Sequence, residues 1–278
     1  MEDNFPWKIE LAYSKALIKI VELIETKIRA LKTTGSIKGQ VERKNSNNDV
    51  LGAQMSLEFT EEQREEVLSY FDELFTTDYA YTLSYPYILE TLTYAVDYVN
   101  KQIGAIVGID FKSQPFYDKA VLKRVLAENV ALIKAEPAKY LRSYDKVVAN
   151  LVEKKLEEGW SLNTLTEALE KTTGLEKNRA KLIATDQVGN IFAEQTKNQF
   201  LGIGLERFRW VTSRDNRVRP THKEREDKIY YWSNPPDGEI PGSAIRCRCT
   251  ASVVKKDVFK LLSWIWKGVM MWKRKISK

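Results

Sequence analysis

The chain has 278 residues, of which 43% are hydrophobic and 29% are charged, with a formal net charge of +6 at pH 7. This length can bury a sizeable core as one large or two ordinary domains, and two cysteines in such a chain exclude a small secreted scaffold held by disulfides. No run of about 18 apolar residues occurs, so the sequence predicts no transmembrane segment.

The first predicted element is a long amphipathic helix from Trp7 to about Lys32. Its apolar residues recur at steps of three, four and seven. The acidic start of the chain, and the lysines within the apolar pattern, differ from a signal peptide, so we expect synthesis and folding in a cytoplasm. The following segment, 33–56, is rich in Gly, Asn and Ser and predicts a loop or a short hairpin.

Residues 60 to about 200 are predicted to be mainly helical. Thr60 with Gln63 has the pattern of a capping box at the start of a helix. Pro86 follows Ser84 like a proline in the first turn of a helix. Gly174 lies where we expect one helix to end and the next to begin.

After residue 204 the pattern changes to short strands joined by long loops. Aromatic and β-branched runs, RFRWVTS, KIYYW and CTASVV, alternate with the turn clusters RDNRVRP and NPPDGEIPG. The predicted fold class is therefore α+β: a mainly helical N-terminal two-thirds, a small β-rich module from about residue 202, and a C-terminal amphipathic helix.

The final segment, 255–278, holds most of the positive charge and a wide apolar stripe. It contains seven lysines and one arginine against the single acid Asp257, which leaves the rest of the chain close to neutral. Residues two apart do not share a helix face, so Trp264, Trp266 and Trp272 cannot all be covered by one neighbouring helix. DNA would attract the charges without requiring three tryptophans. We therefore expect the segment to dock on a partner protein or on a neighbouring copy; the alternatives are that it packs on its own domain, binds DNA or binds a membrane surface.

Both cysteines lie in the stretch CRCTASVV, one residue apart. If this stretch is a strand, its period of two places Cys247 and Cys249 on one face. His222, the only histidine, and Asp215 precede them in a loop-rich region. These four residues offer the hard and soft donors that a four-coordinate Zn²⁺ accepts. The alternative is a pair of small apolar thiols packed beneath a strand, with the histidine hydrogen-bonded to a loop.

Arginines of the same region are candidates for contact with nucleic acid or phosphate. They are Arg214, Arg217, Arg219, Arg246 and Arg248. Strand alternation places the last two on the solvent face, opposite the thiols. Exposed arginines are ordinary surface features, however, and the acidic residues of the same module could equally pair with them.

Several of these patterns resemble a known family. RAKLIATDQVGN, WVTSRDNRVRPTHKEREDKIYYW, PPDGEIPG and CRC follow one another as in the head-morphogenesis domain of tailed bacteriophages, the family of the Mu F protein and of minor head proteins such as that of phage SPP1. The resemblance runs from about Glu128 to Val254. Two departures are Asp186, where members often have Glu, and the absence of a glycine between His222 and the following aromatic strand.

The resemblance implies a minor capsid (head) protein of a tailed phage or prophage. Such a protein associates with the portal protein, acts in head morphogenesis and in some phages in DNA packaging or ejection, and lies inside the capsid at the portal vertex after synthesis in the host cytoplasm. Scaffold protein, major capsid protein and packaged double-stranded DNA are further expected partners. The implied division is a helical region 1–127, a candidate for portal or scaffold binding, the head-morphogenesis domain 128–254, and the basic helix 255–278.

An enzymatic function is the alternative. Asp215, His222 and the two thiols could bind a metal that activates water, as in a metal-dependent phosphodiesterase or a toxin-type enzyme. Catalytic zinc keeps a position for water beside a proton acceptor, and here the only histidine is already a candidate ligand. No Gly-rich phosphate loop is evident. We therefore expect no catalysis, and we expect any zinc to be structural.

Overall fold

The computed structural model describes residues 4–38, 59–109, 119–154 and 162–264. Six helices precede a small antiparallel sheet within these ranges: α1 Trp7–Lys38, α2 Glu61–Leu74, α3 Thr77–Val107, α4 Lys119–Lys134, α5 Glu136–Lys154 and α6 Leu162–Gly202. The sheet contains β1 Arg207–Val211, β2 Ile229–Tyr231 and β3 Thr250–Val253, with the short helix α7 Pro220–Arg225 between β1 and β2. A further helix, α8, occupies 255–264. The predicted α+β fold class is confirmed.

The start of the first helix and the capping box of the second were correctly placed by the sequence patterns. The N-terminal amphipathic helix is α1. It continues through 33–38, where the prediction of a loop is therefore wrong, and the rest of the predicted loop up to residue 56 lies outside the described residues. α2 begins with the expected capping box. The Gln63 N–H donates to Thr60 Oγ1 and the Thr60 N–H donates to Gln63 Oε1, each at 3.2 Å.

Two predicted helix boundaries are wrong. Pro86 lies inside α3, between the buried Ser84 and Ile88, and Gly174 lies inside the unbroken α6. Relative to alanine, a glycine inside a helix costs about 1 kcal/mol and a proline about 3 kcal/mol, whereas each large apolar side chain that is buried contributes about 1.5–3 kcal/mol. The buried residues on both sides of each position therefore outweigh the local preference for a break.

The chain forms two compact units whose segments alternate along the sequence. The first comprises Met1–Leu11, Tyr85–Val125 and Ala184–Lys278, and the second comprises Ala12–Ser84 and Leu126–Ile183. The predicted division after residue 127 falls within α4. Neither unit is a single continuous stretch of chain.

The second unit is helical, with an aromatic core and a buried charge cluster. Phe71 of α2 stacks on Phe75 with ring centroids 5.0 Å apart. Arg179 of α6 pairs with the buried carboxylates of Glu136 and Glu176. Each carboxylate is thus compensated where burial alone would make its charge costly.

The first unit contains the sheet, whose strand order is β2-β1-β3. Phe208 and Trp210, two residues apart on β1, share one face and are fully buried, as expected for a strand with one covered face. Helix α3 supports β3 directly: Tyr98 Oη donates to the carbonyl of Ala251 at 3.0 Å, and the Val253 N–H donates to Gln102 Oε1 at 2.8 Å. Part of the N-terminal helical region is therefore integral to the β-rich module.

Among the described residues, no helix is both long enough and apolar enough to cross a membrane.

Candidate metal centre

The candidate site is built around His222 on the short helix α7. Pro220 starts this helix, where a missing N–H has no cost. His222 and Arg225 are three residues apart and so share a face, and both are buried, with 3% and 6% of their surface exposed. The buried Trp210 contacts both: its ring lies edge-on to the imidazole, with centroids 5.2 Å apart, and the Arg225 guanidinium lies 4.9 Å from the indole centroid.

Both cysteines lie in the segment that leads into β3. The prediction that they belong to a strand is wrong, because β3 begins only at Thr250. The Cys247 N–H donates to the carbonyl of Ala244 at 2.8 Å, which closes a turn in which Arg246 has a φ of +56°. This turn replaces the ladder hydrogen bonds of a strand. The two thiols nevertheless lie on the same side of the segment, since both are buried and face the same imidazole.

Three donor atoms converge at this point. Cys247 Sγ and Cys249 Sγ each lie 3.5 Å from His222 Nδ1. All three atoms lie within 4.8 Å of one another, and over the ranges that the structure describes no second His, Cys, Asp or Glu group of this kind occurs. The arrangement offers one nitrogen and two sulfur ligands, which is a donor set suited to Zn²⁺.

The two thiols differ in their affinity for protons. The hydrogen bond from the Cys249 side chain, aided by the backbone N–H groups of Cys249 and Gly242, lowers the pKa of Cys247 to about 5. The same interaction with Cys247, together with burial, raises the pKa of Cys249. This shift favours the thiolate form of Cys247, which is the form that binds metals.

Gly242 brings its backbone N–H close to Cys247 through a conformation that suits glycine. Its φ is +93°, and a Cβ at this position would lie 3.2 Å from Ala193 Cβ and 3.3 Å from the Cys249 carbonyl oxygen. Close approach and a left-handed backbone both require a residue without a side chain here.

The far side of the imidazole faces a carboxylate that the sequence did not indicate. His222 Nε2 lies 3.4 Å from Glu239 Oε2, and Arg225 Nη1 donates to the same oxygen at 2.7 Å. Arg225 also pairs with Asp237. The hydrogen bond from Arg225 lowers the pKa of Glu239 and so favours its anionic form beside Nε2. The signal in the sequence was the acidic pair within PPDGEIPG, seen only as a turn cluster.

Asp215, the fourth residue of the predicted zinc set, is not in the group of converging donors. Its Oδ2 accepts from Arg248 Nη2 at 3.1 Å, and its Oδ1 accepts from the Arg217 N–H at 2.9 Å. Asp215 therefore shapes the loop between β1 and α7 and pairs with the segment that carries the thiols.

Most of the predicted phosphate-contacting arginines have partners within the module. Arg214 Nε donates to Glu226 at 2.9 Å, Arg217 and Arg248 pair with Asp215, and Arg219 donates to the Ile245 carbonyl at 2.6 Å. The expectation that Arg246 and Arg248 share a solvent face is not met, since Arg248 is half-buried. Arg246 has an exposed side chain, and its backbone N–H donates to Asp186 Oδ1 at 2.8 Å.

The two departures from the usual family pattern have structural roles. Asp227 has a φ of +60°, the left-handed conformation that glycine adopts most readily, and its N–H donates to the Trp210 carbonyl at 2.9 Å. Aspartate tolerates this conformation better than most residues, so the turn after α7 forms without a glycine. Asp186 holds the turn that precedes the thiols through Arg246.

The C-terminal helix is anchored at its start and exposed at its end. Asp257 pairs with Arg207 of β1, and Val258 is buried in the core of the module. Trp264 is 74% exposed. The other two candidate docking residues, Trp266 and Trp272, lie outside the described residues.

Comparisons with known proteins identify the same part of the chain. Residues 146–252 match the family described as Phage Mu protein F like protein, which confirms the resemblance. An uncharacterized protein of Haemophilus influenzae is 37% identical over 153 residues, which cover 54% of this chain and 33% of that relative. The aligned region thus spans about a third of the relative's length. No solved structure matches significantly. The family match includes the sheet up to Ser252, His222 and both cysteines.

Proposed function

Since residues 146–252 match the Phage Mu protein F like family, we propose that this protein is a minor head protein of a tailed phage or prophage that acts in head morphogenesis. In this proposal it associates with the portal protein and is carried inside the capsid at the portal vertex. The family match is the observation that carries the proposal. The small, well-packed β-rich module, with its buried polar centre, supports a structural role.

The helices outside the family match are proposed to supply the surface that binds the portal or scaffold protein. Tyr98 and Gln102 of α3 are already used to hold β3, so α3 contributes to the module itself. Helix α2 instead carries apolar side chains on its exposed side, including Leu68 and Leu74. We therefore assign the proposed partner surface to α2 in preference to α3.

Contact with packaged DNA receives less support than protein binding. Three of the five candidate arginines are paired with two carboxylates, Asp215 and Glu226, which offset two of their three charges. Binding a phosphate would have to compete with these carboxylates. A role in DNA packaging or ejection would therefore act through the portal.

The imidazole of His222 also favours a structural function over a catalytic one. Its Nδ1 faces two sulfurs and its Nε2 faces Glu239, so both ring nitrogens are engaged within the protein. A general base needs a nitrogen within reach of a substrate or a water molecule. The buried ring does not offer one.

Co-expression with the portal protein of the same phage or prophage tests the proposal. An affinity tag on the portal should retain this protein through size-exclusion chromatography, and particles assembled without it should be altered in composition or infectivity. Portal rings that elute free of it, together with normal particles in its absence, would contradict the proposal. Metal-dependent cleavage of DNA by the purified chain would instead favour the phosphodiesterase.

A further inference from the structure

Ordinary hydrogen bonds cannot satisfy all three atoms of the cluster, which are His222 Nδ1, Cys247 Sγ and Cys249 Sγ. Both sulfurs lie 3.5 Å from the single atom Nδ1, which in a neutral ring has either one proton or one lone pair. In either form Nδ1 can complete an ordinary hydrogen bond with only one of the two sulfurs at a time. One cation between the three buried atoms would contact all of them at once, which a single hydrogen bond from or to Nδ1 cannot do.

The distances fit a specific ion. Zinc bonds sulfur at ~2.3 Å and imidazole nitrogen at ~2.0 Å, so a tetrahedral site separates sulfur from nitrogen by about 3.5 Å. Both S···N separations here are 3.5 Å. Two thiolates and an imidazole also select zinc over calcium and magnesium, which prefer oxygen ligands.

The residues next to the donors match the usual surroundings of a zinc ligand. A metal-binding histidine generally has its other nitrogen directed at a carboxylate, which fixes the ring orientation. Glu239 occupies that position, and Arg225 holds Glu239. The Cys249 N–H donates to Cys247 Sγ at 3.4 Å and would stabilise a thiolate ligand there.

We propose that His222, Cys247 and Cys249 bind one zinc ion that stabilises the β-rich module. The ion would join α7 to the segment before β3, two parts of the chain about 25 residues apart in sequence. Such a link would add to the stability of a sheet whose strands have only five, three and four residues. Asp215 is not a ligand in this assignment, because its two oxygens are engaged with Arg217 and Arg248. The assignment holds whether or not the chain binds a portal.

Metal analysis of the full chain tests the proposal. Protein expressed in zinc-supplemented medium and purified without chelator should contain about one zinc per chain by mass spectrometry of the elements. Cys249→Ser and His222→Gln should reduce the content to background, and Asp215→Asn should leave it unchanged. Loss of zinc in the Asp215 variant would overturn the three-residue assignment.

Cobalt binding keeps the test decisive if the ligand variants fail to fold. Wild-type protein stripped of metal and titrated with Co²⁺ should develop sulfur-to-cobalt charge-transfer absorption and the intense visible bands of tetrahedral cobalt. Zinc should raise the Tm of the stripped protein, and excess chelator should lower the Tm of the loaded protein. A wild-type chain that contains no zinc, gives only the spectrum of hydrated cobalt and shows no change in Tm would overturn the proposal.

Discussion

At the scale of single residues, Gly242 links the backbone conformation to the chemistry of the site. Its φ of +93° is unfavourable for any residue with a side chain, and a Cβ would come within 3.2 Å of Ala193 Cβ. We expect Gly242→Ala to lower the free energy of unfolding by about 2–5 kcal/mol, the sum of backbone strain and overpacking. Urea denaturation followed by circular dichroism would measure the change.

Gly238 provides the matched control for this variant. It also has a positive φ, +72°, but nothing lies within 4 Å of a Cβ added there. Gly238→Ala should therefore cost only the backbone term of about 1–2 kcal/mol. Equal losses for the two variants would show that crowding at Gly242 contributes nothing.

The sequence could identify the donors of the candidate site but not their surroundings. His222, Cys247 and Cys249 were predicted together because the chain has no other residue of either type. Glu239 was missed because acidic residues are common, and only the folded loop shows which of them faces the imidazole. Asp215 was included because it is near in sequence, whereas its partner is Arg248 across the module.

At the scale of elements, α6 shows how burial overrides a local helix-breaking signal. Gly174 is exposed and lies inside α6, and a Cβ added to it would have no atom within 4 Å. Alanine there would restrict the unfolded chain without creating a clash. We expect Gly174→Ala to raise the free energy of unfolding by about 0.5–1 kcal/mol, measured by chemical denaturation.

Gly108, at the end of α3, is the control, because alanine there should lower the free energy of unfolding instead of raising it. Its φ is +73°, and its N–H and that of Ile109 both donate to the Gly104 carbonyl, as in a helix that ends at a glycine. Gly108→Ala should destabilise the protein. A gain in stability there, or a loss at Gly174, would contradict our account of these two helix positions.

The elements that could be predicted are those with a strong local pattern. α1, the capping box of α2 and the core of β1 follow from periodicity and cap residues. The segment of Cys247 and Cys249 has the alternation of a strand, but it forms a turn because its hydrogen bonds go to Ala244 and Asp186 instead of a neighbouring strand. Such partners are set by tertiary structure and leave no local signal.

At the scale of the whole molecule, the two units could not be predicted from a reading along the chain. Four helices, α1, α3, α4 and α6, contribute residues to both units. A helix of uniform amphipathic pattern gives no indication of where its packing partners change. The predicted order of helical region, module and tail therefore reflects how residue types change along the chain. It does not reflect packing, because α3 of the predicted helical region packs against β3 of the predicted module.

The start of α8 determines how a docking role of the C-terminal segment has to be tested. Truncation after Lys256 would remove Asp257, the partner of Arg207, and Val258, which is buried in the module. The resulting loss of stability would be mistaken for loss of docking. A chain that ends at Trp264, and the substitution Trp264→Ala, leave these contacts in place.

We predict that Trp264→Ala and removal of 265–278 each reduce incorporation into phage particles or co-elution with the portal, while the free energy of unfolding of the Trp264 variant changes by less than about 0.5 kcal/mol. The tryptophan is 74% exposed, so its loss should affect a partner more than the fold. Leu175→Ala is the control, because Leu175 is 56% exposed in the other unit. Full occupancy of both tail variants in particles would exclude docking through this segment, and an equal loss in the Leu175 variant would show that the effect is not specific to the tail.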